Sequence, residues 1–485
     1  MPAGMLLTAA AAAGLGTAIV TGEAAVLRAA PRESAQQQAS LRRGELLEVR
    51  GERLDHLQVW DHRRERGGFV RASQLRRLSG APEDAPELLA VLRFVRETPG
   101  DEALGIGLAG AWLQAAPAEA VRGAAGVEVL DALGTLAERL AQRASSGAHL
   151  SRGAQAGVAA DLEVARHYGV RFASHERDGR MRVCYDGEAF RRVLVLGAQP
   201  AQQAHAALAL TNADCLDPDL PPLQLHQANQ WRAQVLDRVE AAGLPAYLKN
   251  RVAMRRAEVW STLAWELARL SQPPQAAGRR ALAELGSVQP AELPEADAAA
   301  WNDAVMRVNA SRWAAVAPPA AATPSSRPSV IAVAGQPGET CVLLVDARHD
   351  AANPLARRCT WGVAWPSSAS LNREGNALAL AVQPLAGWRE LWLFRRSRAG
   401  WAVDVLPPHA VSPALGYAEF AGWVPGGQQV LVAREARGDG QYRRRYEVLS
   451  LDSLAVQRQS TDAAGLGPFQ RWADPAWKRL TVSLR

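Results

Sequence analysis

Two carboxylates and a histidine are the residues of this sequence best suited to catalysis. Glu188, His205 and Asp214 follow one another in a short segment that begins after the turn Asp186-Gly187. A pair of carboxylates with a histidine can carry out general acid–base chemistry, as in the cleavage of wall glycans. The same residues have a structural explanation, because Asp214 stands where a predicted helix ends and His205 stands among alanines. We prefer the structural explanation, so catalysis stays undecided and a non-enzymatic protein is favoured.

The sequence contains no metal-binding motif, and its one match to a cofactor motif lacks the required context. The nine histidines form neither a His-x-x-x-His nor a His-Glu-x-x-His spacing, and there is no Gly-x-Ser-x-Gly or Walker-type loop. Gly105, Gly107 and Gly110 spell the dinucleotide-binding fingerprint, but no strand pattern precedes them. We interpret them as the glycine-lined face of a helix. The sequence therefore predicts neither a metal nor a cofactor.

Four cysteines bear on the compartment. They are Cys184, Cys215, Cys341 and Cys359, and an even count suits an oxidising compartment. Three pairings are possible, but each of the couples Cys184–Cys215 and Cys341–Cys359 falls within one predicted domain, so these two disulfides are favoured. The alternative is four reduced, buried thiols, which a cytosolic protein would also carry. Disulfides indicate a periplasmic or secreted protein.

The N-terminal segment indicates where the protein is located, and the charge distribution indicates which partners are expected. Residues 1–20 are largely apolar and alanine-rich, which predicts a signal peptide; a flexible alanine-rich leader is the alternative. No later stretch is long and apolar enough to be transmembrane. The net charge is +6 and the pI is about 9.5, but the basic residues are scattered instead of lying on one face between aromatics. A nucleic-acid partner is therefore not expected.

Short β-strands dominate residues 21–80. Apolar runs alternate with turn residues such as Pro31, Gly44 and the Gly67-Gly68 pair, as in a small antiparallel β-barrel. The expected core of this barrel consists of Leu46, Val49, Leu57, Val59, Phe69 and Val70.

The order of landmarks in this stretch resembles the bacterial Src homology 3 (SH3) family. The landmarks are Leu27, Pro31, Leu41-Arg42-Arg43-Gly44, Trp60, Gly68-Phe69-Val70 and Leu75. The resemblance implies adhesion to cell-wall peptides or contacts with other proteins. Trp60 and Phe69 are then candidate binding residues on a partly exposed aromatic patch. The alternative, which we prefer, is that both rings plug a barrel too small to hold a core without them.

Helical periodicity fills residues 81–316, with one β-hairpin around Asp178-Gly179. The prediction is a mainly helical domain, either in one piece or as two subdomains. Residues 317–328 are rich in Pro, Ala and Ser and are predicted to be an interdomain linker.

Residues 329–485 are β-rich and contain a repeated pattern. Trp365, Trp423 and Trp472 each precede a Pro-containing segment and a short apolar run, and the first two repeats continue into a predicted outer hairpin. Trp423-Val424-Pro425-Gly426 and Leu391-Trp392-Leu393 resemble the entry and the outer strand of β-propeller blades such as those of the Tol-system periplasmic propeller. The resemblance implies a partial propeller of about three or four blades.

These patterns together predict a multidomain α+β protein: an SH3-like barrel, a helical middle domain with one hairpin, and a C-terminal antiparallel domain resembling a partial propeller. We expect an exported, non-catalytic binding or scaffolding protein of the cell envelope, with peptidoglycan or an envelope protein as its partner. The alternative is an envelope hydrolase, acting on wall glycan or peptide, with its site in the helical domain. The ligand and the oligomeric state stay open.

Overall fold

The computed structural model describes residues 16–146, 151–177, 179–319, 326–409, 415–438 and 440–480. The fold is mixed α and β, with an antiparallel sheet near the N-terminus, helices in the middle and further sheets towards the C-terminus. The chain divides into two compact units, Met1–Leu220 and Pro221–Arg485. This division falls inside the predicted helical region 81–316, so each unit combines a large sheet with helices of its own.

Seven strands form the sheet of the first unit, in the order β3-β2-β6-β5-β4-β1-β7. They are β1 (Thr17–Val20), β2 (Ala25–Arg28), β3 (Gln37–Leu41), β4 (Leu46–Arg53), β5 (His56–Asp61), β6 (Arg66–Arg71) and β7 (Leu75–Leu78). All pairings described between them are antiparallel, which confirms the predicted antiparallel sheet. The order runs as an open path from β3 to β7, and no closed barrel is found among the described residues.

The core of this sheet is built from alternate residues of its strands, which share one face. The predicted core residues that lie there are Val49, Leu57, Val59 and Val70. The prediction was wrong for Leu46 and Phe69, because successive side chains of a strand point to opposite faces. Leu47 points into the core, so Leu46 packs on the helices. Val70 likewise points into the core, so the side chain of Phe69 points to the opposite face of the sheet.

The first strand lies within the range predicted as a signal peptide. β1 pairs with β4 and β7, and Ile19 is fully buried. Removing all residues up to Val20 would therefore take a strand out of the sheet. The sheet begins at Thr17 and not after the predicted leader, whose residues 1–15 lie outside the described part of the chain.

Among the described residues, seven α-helices and one hairpin complete the first unit. They are α1 (Ala85–Arg96), α2 (Glu102–Ala115), α3 (Ala118–Arg122), α4 (Ala124–Ser145), α5 (Arg152–His167), β8 (Phe172–Arg177), β9 (Arg180–Tyr185), α6 (Glu188–Val195) and α7 (Pro200–Leu210). The apolar faces of α1, α2 and α4 share one buried cluster that includes Leu92, Ile106 and Leu136. The predicted helical character with a single hairpin is confirmed for this part of the chain.

The glycines of α2 serve close packing. A Cβ at Gly105 would lie 2.6 Å from Leu136 Cδ1, and one at Gly107 would lie 2.6 Å from Ile19 Cδ1. A Cβ at Gly110 would lie 2.7 Å from the ring of Tyr168. The predicted glycine-lined helix is confirmed, and its glycines let α4, β1 and the residue after α5 approach its backbone.

The second unit begins with helices and ends mainly in sheets. Its helices before the sheets are α8 (Pro222–Asp237), α9 (Ala246–Arg269), α10 (Gln275–Gly286) and α11 (Ala298–Ser311). Of the predicted linker 317–328, residues 320–325 lie outside the described residues. A three-stranded sheet follows, with β10 (Ser329–Ala334), β11 (Thr340–Val345) and β12 (Ala356–Thr360).

An eight-stranded sheet forms the remainder of the β-structure in the second unit. Its strands are β13 (Val363–Leu371), β14 (Ala377–Leu385), β15 (Trp388–Ser397), β16 (Gly400–Leu406), β17 (Leu415–Val424), β18 (Gln429–Gly438), β19 (Gln441–Ser450) and β20 (Val456–Ser460). β13 to β16 and β17 to β20 are two antiparallel meanders of four strands each. A short parallel pairing between β15 and β17 joins them.

The first two predicted repeats correspond to these two meanders. Trp365 lies in β13 and Trp423 in β17, and each is followed by a buried strand and an outer hairpin. The third repeat was predicted wrongly, because Trp472 ends the helix α12 (Gly467–Trp472) and α13 (Pro475–Leu480) follows. Phe469 and Trp477 of these helices pack edge-to-face on Tyr446, so they cover the sheet instead of extending it.

A buried ion pair attaches α11 to the sheet of the second unit. Arg389 is fully buried and donates hydrogen bonds to Glu419 and, at 2.6 Å, to the carbonyl oxygen of Asn309. Arg312 lies 3.0 Å from the same Glu419 carboxylate. Burial lowers the pKa of Arg389 to about 10, against the opposing effect of Glu419. A charged group in this setting is retained only because its partner is present.

Candidate functional site

Trp60 and Phe69, the predicted binding residues, lie on the same outer face of the first sheet. Trp60 stands between the buried Val59 and Asp61 in β5, so its side chain points away from the core. Gln58 shares the face of Trp60 and is the direct neighbour of Phe69 in β6. The two rings are therefore diagonal neighbours. Both are half-buried and neither plugs the core, which is built from other residues.

Charged groups surround the indole ring of Trp60. The guanidinium carbon of Arg50 lies 4.3 Å from the ring centroid, within the range of a cation–π contact. Arg50 Nε donates to Glu48 Oε1 at 3.1 Å, and His62 Nε2 lies 2.6 Å from Glu48 Oε2. The hydrogen bond from Arg50 lowers the pKa of Glu48, with His62 acting in the same direction. A cation and an anion are thus fixed beside the exposed part of the ring.

Gly67 allows the indole to lie over the neighbouring strand. It is the direct partner of Trp60 across β5 and β6, and a Cβ there would lie 3.1 Å from Trp60 Cε3. Any side chain at this position would compete with the ring for the same space. The glycine that the sequence marks as a turn residue therefore sits in a strand, where it makes room for Trp60.

The predicted catalytic residues lie in three neighbouring segments of the first unit. Glu188 is the first residue of α6, His205 is half-buried in α7, and Asp214 is exposed in the 3-10 turn Ala213–Cys215. His205 lies in a helix and Asp214 follows the end of that helix, as predicted. Their use in catalysis stays a prediction.

The two carboxylates of this group bind arginines. Glu188 forms ion pairs with Arg191 and Arg192 of its own helix, at 3.4 and 3.0 Å. Asp214 lies 3.9 Å from Arg182 of β9. The ion pairs described for Glu188 and Asp214 are therefore with surface arginines and not with a shared site, which is the usual setting of solvated surface charges.

Both predicted disulfides are present. Cys184 of β9 is bonded to Cys215, with an S–S distance of 2.04 Å, and Cys341 of β11 is bonded to Cys359 of β12, at 2.03 Å. Within the described ranges, Glu339 with Cys341 and Cys359 forms the single cluster of metal-ligating residue types, but its sulfur atoms are bonded to each other and offer no thiolate. Two disulfides are compatible with an exported protein.

A polar cavity of about 630 Å³ lies between the sheet and the helices of the first unit. The segment after β3 contributes Arg42 and Arg43, and α4 contributes Arg139 and Arg143. The first turn of α2 and one face of α5, which carries Asp161, complete the lining. Four arginines at one cavity are an arrangement that binds carboxylate or phosphate groups in many proteins.

Ion pairs hold three of these arginines in place. Arg43 is paired with Asp101. Arg139 and Arg143 are both paired with Glu102, whose side chain is fully buried, and Arg139 Nε lies 2.7 Å from Glu102 Oε1. Both acids lie at the start of α2, and their ion pairs fix the orientation of the three guanidinium groups.

A tight turn brings Arg42 and Arg43 to the cavity. Gly44 has a φ of +88°, and a Cβ at this residue would lie 2.4 Å from the carbonyl oxygen of Ala103 in α2. The hydroxyl of Tyr168 donates to the Gly44 carbonyl oxygen at 2.8 Å. Only a glycine permits this approach, so the turn is fixed against the helices and the two preceding arginines with it.

The sequence patterns did not predict this cavity. Arg139 and Arg143 are four residues apart on α4, a spacing typical of exposed helix charges. The available signal was Glu102, which opens a helix that is apolar on every side. Such an acid must be buried, and a buried carboxylate requires a cationic partner.

A second buried polar group joins α8 to α9 in the other unit. His226 Nδ1 lies 2.8 Å from Glu266 Oε2, and Asn229 Nδ2 donates to Glu266 Oε1 at 2.6 Å. Gln230 Nε2 lies 3.0 Å from the other ring nitrogen of His226. Each of these polar groups has a partner within the two helices, so the arrangement explains their packing.

Within the described ranges, no helix combines the length and the apolar character needed to cross a bilayer. Comparison of the chain with models of protein families, with curated proteins and with solved structures finds no match.

Proposed function

We propose that this chain is an exported, non-catalytic binding protein of the cell envelope, which recognises a wall component or an envelope protein through the outer face of its first sheet. The position of Trp60 carries the proposal. The ring lies outside the buried core, beside Phe69, and remains partly accessible next to Arg50. A tryptophan in this position offers a partner a large apolar area together with a hydrogen-bond donor.

The chemistry of this face suits a peptide. Trp60 and Phe69 provide surfaces on which amide planes and apolar side chains stack, and Gln58 between them is exposed and can exchange hydrogen bonds with a backbone. Glu48 and Arg50 add one fixed charge of each sign. Wall peptides and protein segments both present such mixed groups, so the face by itself does not distinguish them.

Two further features support the proposal. The disulfides fit an oxidising compartment. The order of landmarks from Leu27 to Leu75 supports an SH3-like module, and the two four-stranded meanders support a blade-like description of the second unit. In that unit β20 ends the described strand order and is largely exposed, so its outer edge offers backbone groups to a partner strand.

Sedimentation with purified wall sacculi tests the proposal. The full chain should sediment with sacculi, and Trp60→Ala should weaken this binding about 30-fold, because truncating a central aromatic contact costs about 2 kcal/mol. Trp361→Ala is the matched control, since Trp361 is 54% exposed and belongs to the other unit. That variant should bind like the parent chain.

Three outcomes decide the question. Equal sedimentation of the parent chain and the Trp60→Ala variant would contradict recognition by this face. If sacculi do not bind, a photoreactive residue at Gln58 should crosslink the chain to an envelope protein, and the absence of this crosslink would end the proposal. Release of soluble wall fragments that Glu188→Gln or His205→Ala abolishes would establish the hydrolase alternative instead.

A further inference from the structure

The cavity of the first unit has more hydrogen-bond donors than acceptors. Each of its four arginines carries five N–H groups. For the guanidinium group of Arg42 no hydrogen bond or ion pair is described, only an electrostatic attraction to Asp161. The Nε atom of Arg43 is buried and has no hydrogen-bond acceptor among the described residues. Buried donors of this kind require an occupant that supplies oxygen atoms.

The acids at the cavity do not supply those oxygens. Asp101 and Glu102 already bind Arg43, Arg139 and Arg143, and they hold these side chains in position. Each guanidinium keeps further N–H groups after one such contact. The acids therefore prepare the arginines for a ligand, as ion pairs beside a binding site commonly do.

Besides Asp101, two acids line the cavity: Glu23, which is 89% exposed and lies 3.9 Å from Arg43, and the more buried Asp161. Its carboxylate lies 3.7 Å from Arg143, and only 16% of its side chain is exposed. Burial raises its pKa, while Arg143 and Arg42 act in the opposite direction.

Helix α5 leaves the space open. Gly153, Ala154 and Gly157 line the cavity with little or no side chain. A Cβ at Gly153 would meet no atom within 4 Å, and one at Gly157 would approach only Arg42 Nη1, at 3.8 Å. These residues belong to the first turns of the helix, where the backbone carries a partial positive charge. A volume of about 630 Å³ is within the usual range for small ligands.

We propose that this cavity binds a small ligand through an oxyanion group, a carboxylate or a phosphate, held by Arg42, Arg43 and Arg143. This binding site is independent of the outer sheet face. The two oxyanions share the same recognition chemistry, because both accept paired N–H donors from a guanidinium group. Ordered water is the competing occupant.

Calorimetric titration of the full chain with inorganic phosphate and, separately, with citrate tests the proposal at constant ionic strength. At least one of the two should bind, and the tighter one identifies the oxyanion. Gly157→Leu should abolish binding while the melting temperature stays equal or rises, because leucine fills the cavity and favours the helix more than glycine does. Arg42→Gln should weaken binding about tenfold, as expected for one charge-assisted contact.

Gly286→Leu is the matched control. Gly286 ends α10 in the other unit, is exposed, and a Cβ there would meet no atom within 4 Å. This variant should bind the anion like the parent chain. If neither phosphate nor citrate binds at millimolar concentration, water alone occupies the cavity and the proposal is overturned. If the Gly157→Leu variant binds normally, the anion binds outside the cavity and the proposal is overturned as well.

Discussion

Replacing Glu102 by glutamine should destabilise the first unit strongly. The side chain is fully buried, both its oxygens lie against the guanidinium groups of Arg139 and Arg143, and Oε1 also accepts the N–H of Gly100 at 3.1 Å. Glutamine keeps the volume and one acceptor oxygen but removes the charge. Breaking a buried ion pair from one side costs about 3–5 kcal/mol, and the remaining acceptor restores about 1 kcal/mol. We therefore expect the free energy of unfolding to fall by about 3 kcal/mol.

Glu128→Gln is the matched control for this change. Glu128 of α4 binds Arg93 through both of its oxygens, at 2.6 and 2.7 Å, so its geometry is at least as good as that of Glu102. The difference is exposure, because the Arg93 side chain is 60% exposed. An exposed ion pair contributes about 0–1 kcal/mol, so this variant should lose no more than that.

Urea unfolding followed by hydrogen exchange of the α2 and α4 amides measures both variants in the unit concerned. With a denaturant dependence of about 2 kcal/mol per molar urea, the Glu102→Gln midpoint should fall by about 1.5 M and the Glu128→Gln midpoint by less than about 0.5 M. Equal shifts in the two variants would refute the reasoning, because it predicts a larger loss for the buried carboxylate with two arginine partners than for the exposed pair.

Two further predictions concern pH and backbone conformation. Burial raises the pKa of Glu258, but Arg255 and Arg232 outweigh this effect and lower the pKa from 4.5 to about 2. The ionised carboxylate should therefore stabilise the second unit above pH 4.5. About 3 kcal/mol of this stabilisation should be lost as the pH falls towards 2. Thermal unfolding against pH should show an acid slope that is shallower in Glu258→Gln, and an unchanged slope would contradict the assignment. Gly44→Ala should lower the melting temperature more than Gly100→Ala, since both residues have positive φ, +88° and +93°, but only a Cβ at Gly44 meets backbone, 2.4 Å away. Either substitution costs about 1–2 kcal/mol because alanine disfavours the left-handed conformation. Equal melting temperatures would therefore show that α2 moves away to accommodate the Cβ at Gly44.

Local patterns accounted for much of the fold. The alternation of apolar residues in β4, β5 and β6 predicted strands and most of their core, because a strand buries every second residue. Helical periodicity predicted the middle of the chain, and the first two tryptophan repeats predicted two meanders. The cysteine pairs followed from simple proximity along the chain.

The errors occurred where a neighbour in space decided the outcome. Phe69 and Leu46 are apolar and stand in strands, but a shift of one residue exchanges the faces of a sheet, and only the pairing of the strands fixes which face is the core. Leu46 is apolar because helices cover its side of the sheet. The third repeat has the same residue types as the other two, yet it is helical. Its aromatic residues Phe469 and Trp477 pack on the face of the sheet instead of forming a further strand.

The candidate sites show the same division. The sequence predicted that Trp60 and Phe69 belong to strands of one small β-domain, whereas the contact of Trp60 with Arg50 depends on the pairing of β4 with β5. Tertiary structure alone decided that Arg42, Arg143 and Asp161 meet at one cavity, because they come from three separate elements. Coulombic attraction falls with distance in space and not with separation along the chain, so only the folded packing shows which charges neutralise one another and which remain available to a ligand.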